Sequence, residues 1–234
     1  MLKVLSTLAV QGPLPALVAR FEEAHREAVV FTDLAPTAGL LVRIKRGETA
    51  DVAILTREGI DELARLGILD AASAVDLVRS SIGLAVRAGA RKPAIDTPEA
   101  LKDTLLQAKS IAISSSGVSG TVFAGVLERL GIADAVFAKA TVIPAGLTAE
   151  LVARGETELA VQQLSELKVV PGVDIVGPLP GSLQKPTMFS AAIFAGSAHS
   201  ARAREFLRLL ASADAADAYA ATGLDPVRGQ TRGV

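Results

Sequence analysis

The sequence predicts an α/β protein in which mostly parallel strands alternate with helices, and two observations predict this class. Short apolar runs alternate along the chain with segments of helical periodicity. The segments 40–55 and 150–163 also share one order, a helix, then Arg-Gly-Glu-Thr, then a strand. Their glycines, Gly47 and Gly155, stand where helices commonly end in the left-handed conformation. The repeat indicates two similar lobes, although short turns of this kind also recur by chance in α/β proteins.

Each predicted element follows from its apolar period and its flanking turn residues. Runs of β-branched and apolar residues predict strands, and apolar residues three or four positions apart predict helices. The strands are expected at 3–10, 29–34, 50–55, 80–89, 110–114, 139–144, 158–163, 173–180 and 187–196. The helices are expected at 13–28, 37–46, 57–67, 97–108, 118–131, 147–155, 198–211 and 213–222.

Composition excludes several classes of function. The 24 Lys and Arg residues balance 25 Asp and Glu residues and are scattered, so no nucleic-acid partner is expected. No apolar run is long enough to span a bilayer, so we expect no membrane insertion. The chain contains no cysteine and only His25 and His199, both among polar neighbours. A metal site, a cofactor, a cysteine nucleophile and a histidine-based triad are therefore not expected.

The segment "MLKVLSTLAVQGP" at the start of the chain lacks the long apolar region and cleavage site of a signal peptide. It is typical of a first strand instead. We expect the protein to be periplasmic if a leader was removed before residue 1, and cytoplasmic otherwise.

Four short loops follow predicted strands and carry small or hydroxyl side chains: "STLAVQG", "LAPTAG", "SSSGVSG" and "VIPAG". Ligands of parallel sheets bind beyond the carboxyl ends of the strands, where helices begin. Free N–H groups and the helix dipole favour an anion there. In the serine-rich loop, Ser119 and Gly120 lie nearest the helix start. The alternative is ordinary helix capping by serine.

The serine-rich loop matches neither of two catalytic motifs. It lacks the Gly-Lys-Ser/Thr ending of a nucleotide-binding P-loop. It also lacks the Gly-x-Ser-x-Gly spacing of a hydrolase nucleophile elbow. Nucleoside-triphosphate and serine-hydrolase chemistry are therefore not supported.

Three segments, "TAGLLVRIKRGETADVAIL", "VSGTVFAGVLERLGI" and "LVARGETELAVQQLSE", together resemble the type 2 periplasmic solute-binding proteins, and within them the molybdate-binding branch. The resemblance covers essentially the whole chain. It implies two α/β lobes joined by two crossover strands, near 79–83 and 183–189, with a ligand held in the cleft between them. Lobe 1 is then expected at 1–80 plus 188–234, and lobe 2 at 81–187.

In lobe 1 the resemblance implies ligand positions after the first two strands. The first ligand serine of the family falls at Ala9, shortly after Ser6 and Thr7. The second falls at Ala38, beside Thr37. The family's serine side chains are therefore replaced at both positions.

In lobe 2 the resemblance implies backbone donors at Ser119, beside Gly120, and at Ala145. The ligand tyrosine of the family falls at Gln163, next to Gln162. These two amides supply donors and acceptors where the family has Val-Tyr, or they are simply a polar pair at a strand end.

Two further residues complete the predicted ligand-binding set. Thr56 follows the third strand, and Arg79 lies at the predicted hinge. A guanidinium at Arg79 could bind a carboxylate through two hydrogen bonds, or it could be an ordinary surface residue. With the substituted serines and tyrosine, a small organic acid fits this set better than a metal oxyanion.

The resemblance implies a monomeric substrate-binding protein that captures a small anion, a molybdate-like oxyanion or a carboxylate, and delivers it to an ABC-type permease. An aconitate-type isomerase on the same fold is one alternative. No acid or histidine lies in the four predicted loops to act as its base. An intracellular anion sensor is another alternative.

Overall fold

A computed structural model describes residues 1–26, 30–115 and 117–227. The chain folds as two compact units. Unit 1 contains Met1–Ser80 and the chain from Thr187 onward, and unit 2 contains Ser81–Pro186. The chain therefore passes from one unit to the other twice, at 80/81 and at 186/187. The return predicted at residue 188 lies one residue further along.

Unit 1 is built on a six-stranded sheet with the order β11-β4-β10-β3-β1-β2. Strands β1 to β4 run in one direction, and β10 and β11 run in the other. Its strands are β1 (Leu2–Ser6), β2 (Val30–Leu34), β3 (Val52–Thr56), β4 (Val75–Ser80), β10 (Thr187–Ile193) and β11 (Asp225–Pro226). Its helices are α1 (Leu14–Ala24), α2 (Thr37–Lys45), α3 (Arg57–Arg65), α9 (Ser200–Leu210) and α10 (Ala213–Ala221), with short 3-10 helices at Leu8–Val10 and Ala71–Ser73.

Both faces of this sheet are buried. On β3, Val52 and Ile54 join a core cluster with residues of α1, α9 and α10, while Ala53 and Leu55 join a second cluster with residues of α2 and α3. Successive side chains of a strand point to opposite faces, so an unbroken apolar run is what a sheet covered on both sides requires.

Unit 2 is built on a five-stranded sheet with the order β7-β6-β8-β5-β9. Four of these strands run in one direction, and β5 runs in the other. Its strands are β5 (Ile82–Arg87), β6 (Ile111–Ser114), β7 (Ala140–Ile143), β8 (Leu159–Gln163) and β9 (Val173–Pro178). Its helices are α4 (Pro98–Gln107), α5 (Val118–Leu130), α6 (Ala133–Phe137), α7 (Ala149–Ala153) and α8 (Leu164–Lys168).

The predicted class, two α/β sheets flanked by helices with most strands in each running in one direction, is confirmed. The left-handed glycines are confirmed as well, with φ of 99° at Gly47 and 77° at Gly155. Several boundaries differ. Strand β1 ends at Ser6 rather than at residue 10, because the chain turns into a 3-10 helix at Leu8. The predicted ends at 27–29 lie outside the described residues.

The sequence prediction missed strands β4 and β11 and helices α6 and α8. No strand was predicted at 75–79: the strand expected at 80–89 corresponds to β5, which pairs in unit 2, whereas β4 pairs in unit 1. Helices α6 and α8 have five residues each. A segment of that length shows little helical periodicity, so its packing rather than its sequence reveals it.

Candidate functional site

The carboxyl edge of the unit 1 sheet gathers hydroxyl side chains. Strands β1 to β4 end at this edge and β10 begins there, because β10 runs opposite to β3 and β4. Six hydroxyl residues at these strand ends and the loops after them are all buried: Ser6, Thr7, Thr37, Thr56, Ser80 and Thr187. The first four belong to the ligand-binding set predicted from the sequence. Ser80 and Thr187 do not belong to that set, and they pair with each other where the chain leaves and re-enters unit 1.

Two of these hydroxyls have internal roles. The Ser6 hydroxyl donates to the carbonyl oxygen of Thr7 at 3.2 Å. The Thr56 hydroxyl accepts the Gly59 N–H at 3.3 Å and so caps the first turn of α3. Both side chains therefore stabilise the edge itself.

Thr37 differs from these two. It is the first residue of α2, only 7 % of its surface is exposed, and Pro36 supplies no side-chain cap. Among the described residues, its buried hydroxyl oxygen has no hydrogen-bond partner. An unpaired buried hydroxyl costs about 1–3 kcal/mol. A hydroxyl in this position at the start of a helix is suited to donate to an anion.

Gln11 is a polar residue of this region that sequence analysis missed. It follows the 3-10 helix after β1, and its amide nitrogen is also buried with no partner among the described residues. The only sequence signal was a lone amide in the loop "STLAVQG", which the hydroxyls of that loop obscured.

The other predicted positions of unit 1 have different surroundings. The Ala9 side chain is 1 % exposed and packs in the hydrophobic core, so only its backbone could meet a ligand. Ala38 is exposed on α2. Arg79 is exposed on β4 opposite Met188 and Asp225. These surroundings favour the surface interpretation of Arg79.

The carboxyl edge of the unit 2 sheet begins with the serine-rich loop after β6. The N-cap of α5 is Gly117, whose N–H donates to the Ser114 hydroxyl at 3.2 Å. Ser119 is in the first turn and is 2 % exposed. A Cβ at Gly120 would lie 1.8 Å from the Ser114 carbonyl oxygen. Gly120 therefore permits the first turn of α5 to touch the end of β6. Ser116 lies outside the described residues.

The loop after β7 is held by Gln162, which is 2 % exposed on β8. The Gln162 amide oxygen accepts the Thr148 N–H at 2.8 Å and the Thr148 hydroxyl at 3.0 Å. The amide nitrogen donates to the Gly146 carbonyl oxygen at 3.1 Å. These contacts fix both ends of the 146–148 segment, which directly follows the exposed Ala145.

Glu166 supplies the remaining partner of Gln162. It is the third residue of α8 and is 8 % exposed. Burial raises its pKa to about 7, although hydrogen bonds from the Gln163 backbone N–H and the Gln162 side chain act in the opposite direction. An amide has two donor hydrogens and two acceptor lone pairs. Both the oxygen and the nitrogen of the Gln162 amide therefore have partners within unit 2, and its role as a direct ligand residue stays a prediction.

Sequence analysis missed Glu166 because α8 was not predicted. The signal was an acid three residues after Gln163, the spacing at which a helix carboxylate reaches back to the N-cap N–H. Gln163 ends β8 and is 2 % exposed.

The predicted positions of both edges carry no acid, and their one cation is the exposed Arg79. No group of three His, Asp or Glu residues able to hold a metal ion occurs in the described parts of the chain. Within those same parts, no helix combines the length and apolar character needed to cross a bilayer. Neutral hydroxyls, amides and helix starts are groups that bind anions without counter-charge.

Comparison with solved structures identifies relatives of the fold. The periplasmic molybdate-binding protein of Azotobacter vinelandii is 21 % identical, with a TM-score of 0.82 over 98 % of this chain and all of that chain (100 %). The sulfate-binding protein of Mycobacterium tuberculosis is 19 % identical, with a TM-score of 0.80 over 97 % of this chain and 86 % of that one. At these identities the likeness establishes the fold.

Sequence comparisons establish the family. A curated aconitate isomerase from a Pseudomonas species is 41 % identical over 235 aligned positions, covering 98 % of this chain and 89 % of the relative. The family model described as bacterial extracellular solute-binding protein matches residues 2–225. The resemblance inferred from the sequence is thereby confirmed. This chain belongs to the bacterial extracellular solute-binding protein family.

Proposed function

We propose that this protein is a substrate-binding protein that captures a small anion for uptake. Family membership over residues 2–225 is the observation that carries the proposal. Buried neutral groups at the unit 1 edge support it, since the Thr37 hydroxyl and the Gln11 amide nitrogen have no hydrogen-bond partner among the described residues and can donate to an anion. Structural relatives named for molybdate and sulfate indicate that this fold accommodates oxyanions.

The family context extends the proposal to a location and a partner. Proteins of this family are named as extracellular solute-binding proteins. We propose that this protein acts outside the cytoplasmic membrane with an ABC-type permease.

As the ligand of this protein we favour a small carboxylic acid over a tetrahedral metal oxyanion. The positions where the family has two ligand serines are Ala9 and Ala38, and the family tyrosine is replaced by Gln163. A tetrahedral oxyanion therefore finds fewer hydroxyl donors here than in the molybdate-binding branch.

Thermal unfolding with candidate ligands tests the proposal. A ligand that binds only the folded protein stabilises it by mass action, by about 2.7 kcal/mol at one hundred times its Kd. We expect stabilisation by at least one di- or tricarboxylate from a panel that also contains molybdate, tungstate, sulfate and phosphate. Strong stabilisation by molybdate alone would overturn the carboxylate assignment. Stabilisation by no member would overturn small-anion binding.

A second candidate function is isomerisation of an unsaturated tricarboxylic acid. The 41 % identical relative named aconitate isomerase favours it. Such a reaction removes a proton from one carbon of the acid and returns a proton to another, so it needs a group that accepts and donates protons near neutral pH. Glu166 is an acid with a pKa in that range at the unit 2 edge.

Proton NMR of cis- and trans-aconitate incubated with the protein separates the two functions. Interconversion of the isomers at a rate proportional to protein concentration supports the isomerase. An unchanged spectrum together with thermal stabilisation by the same acid supports the binding protein.

A further inference from the structure

The orientation of the Gln162 amide follows from its partners. The Thr148 N–H can only donate, so it requires the amide oxygen, and the Gly146 carbonyl can only accept, so it requires the amide nitrogen. The second N–H of that nitrogen is therefore directed to Glu166, consistent with the hydrogen bond between these two side chains. Gln162 thus joins the Glu166 carboxyl to both ends of the 146–148 segment.

Glu166 also contacts the other predicted ligand position of unit 2. Its carboxyl accepts the backbone N–H of Gln163, so the chain leaves β8 in a conformation that this carboxyl maintains. The same buried acid therefore accepts a hydrogen bond from Gln163 directly, and it is connected through Gln162 to Gly146, the residue next to Ala145.

Charged groups near this acid are few among the described residues. Helix α8 packs on β5, β8 and β9. These elements carry Arg87 on β5 and Asp174 on β9, and α8 itself carries the exposed Lys168. Asp174 accepts the Gly89 N–H at 2.9 Å, and Glu150 of α7 pairs with Arg154, the residue that follows this helix. The pKa of Glu166 responds to burial and to the two N–H donors rather than to these charges.

We propose that Glu166 is a positioning residue through which protons regulate anion binding at the unit 2 edge. The inference rests on the proposed function and adds its regulation. A protonated Glu166 is neutral and accepts the Gln162 and Gln163 hydrogen bonds without opposing an anion. An ionised Glu166 places a buried negative charge in hydrogen-bond contact with the backbone of Gln163, a predicted ligand position, where it repels a bound anion.

Linkage gives the sign and size of the effect. Because the bound anion opposes ionisation of Glu166, it raises the pKa of this carboxyl, and the protein takes up a proton on binding. A further rise of one unit on binding corresponds to uptake of about 0.4 proton per ligand at pH 7 and to an affinity that falls about fivefold between pH 6 and pH 8. The Kd therefore increases as the pH rises.

Calorimetry in buffers of different ionisation enthalpy measures this proton uptake directly. The probes are trans-aconitate, sulfate and molybdate, and each probe that binds is titrated into the wild-type protein, Glu166→Gln and Glu150→Gln at pH 6, 7 and 8. Glu166→Gln keeps an acceptor oxygen and cannot ionise. Glu150→Gln removes the same charge from an exposed site on α7 and serves as the matched control. Comparison at equal pH cancels the ionisation of the probe itself.

The expected result is proton uptake in the wild-type protein and in Glu150→Gln that is lost in Glu166→Gln, together with loss of the pH dependence of Kd. Equal proton uptake in all three proteins would overturn the role of Glu166 and leave the proposed function intact. Absence of binding by every probe would instead overturn the proposed function, and this inference with it.

Discussion

Replacing Glu166 by glutamine is expected to change how the stability of the protein depends on pH. The pKa of this carboxyl rises from 4.5 to about 7 on folding, chiefly because the group is buried. The folded state therefore holds its proton after the unfolded chain has lost it. The stabilising contribution is complete below pH 4.5 and is lost as the pH rises through 7.

The magnitude follows from the size of the shift. A shift of about 2.5 pH units at about 1.4 kcal/mol per unit corresponds to about 3 kcal/mol. The Glu166→Gln variant cannot lose this contribution. Its free energy of unfolding, relative to wild type, is expected to rise by about 3 kcal/mol between pH 4 and pH 8.

Urea unfolding followed by circular dichroism at intervals across this range measures the difference. The carboxyl ¹³C shift of Glu166 locates the titration directly. The control is Glu156→Gln, because Glu156 is exposed and its pKa is lowered by a hydrogen bond from Arg154. A stability difference that does not vary with pH, or a ¹³C midpoint below 5, would refute the reasoning.

Three further predictions concern packing and binding. Gly120→Ala is expected to destabilise the protein by about 3 kcal/mol or more in urea unfolding because its Cβ would overlap a backbone oxygen, whereas Gly125→Ala in the same helix meets open space and should stabilise slightly; equal effects would contradict the contact. Thr148→Val should lower the free energy of unfolding by about 1–3 kcal/mol, because the buried amide oxygen of Gln162 loses the donor that the Thr148 hydroxyl supplies. Thr141→Val, at an exposed threonine of β7, should change it little in the same assay. Thr37→Val should weaken anion binding about tenfold by calorimetry with no loss of stability, since its hydroxyl has no hydrogen-bond partner in the described part of the chain, while Arg79→Ala should change affinity less than twofold. A larger loss of affinity in Arg79→Ala than in Thr37→Val would instead support Arg79 as a ligand residue.

Much of the fold was predictable because its signals are local. The apolar runs at β3 and β6 and the periodic helices α3 and α9 stand out in the sequence. Gly47 indicates the end of α2 by its residue type alone, whatever that helix packs against. Strand β4 was not predictable in the same way. Its segment, 75–80, carries Asp76, Arg79 and Ser80 among its apolar residues, and only pairing assigns it to unit 1 and β5 to unit 2.

The candidate site was predictable only in part. The hydroxyls Thr37 and Thr56 follow visible strands, so their place at the sheet edge could be inferred. Gln162 and Gln163 are adjacent amides that the sequence alone does not distinguish. In the folded protein the Gln162 side chain binds Thr148 and Gly146, whereas Gln163 ends β8 and is the N-cap of α8. Glu166 was missed because its role depends on burial, which a single acid in "LSEL" does not reveal.

The sequence by itself determined the α/β class, the repeated lobe plan and the neutral character of the loops predicted to bind the ligand, because each depends on residue type and spacing along the chain. Tertiary structure decided which polar groups remain available and which acid is buried. Glu166 shows the reason: its pKa near 7 arises from removal of water and from two N–H donors brought to it by folding, and neither is a property of the amino acid alone.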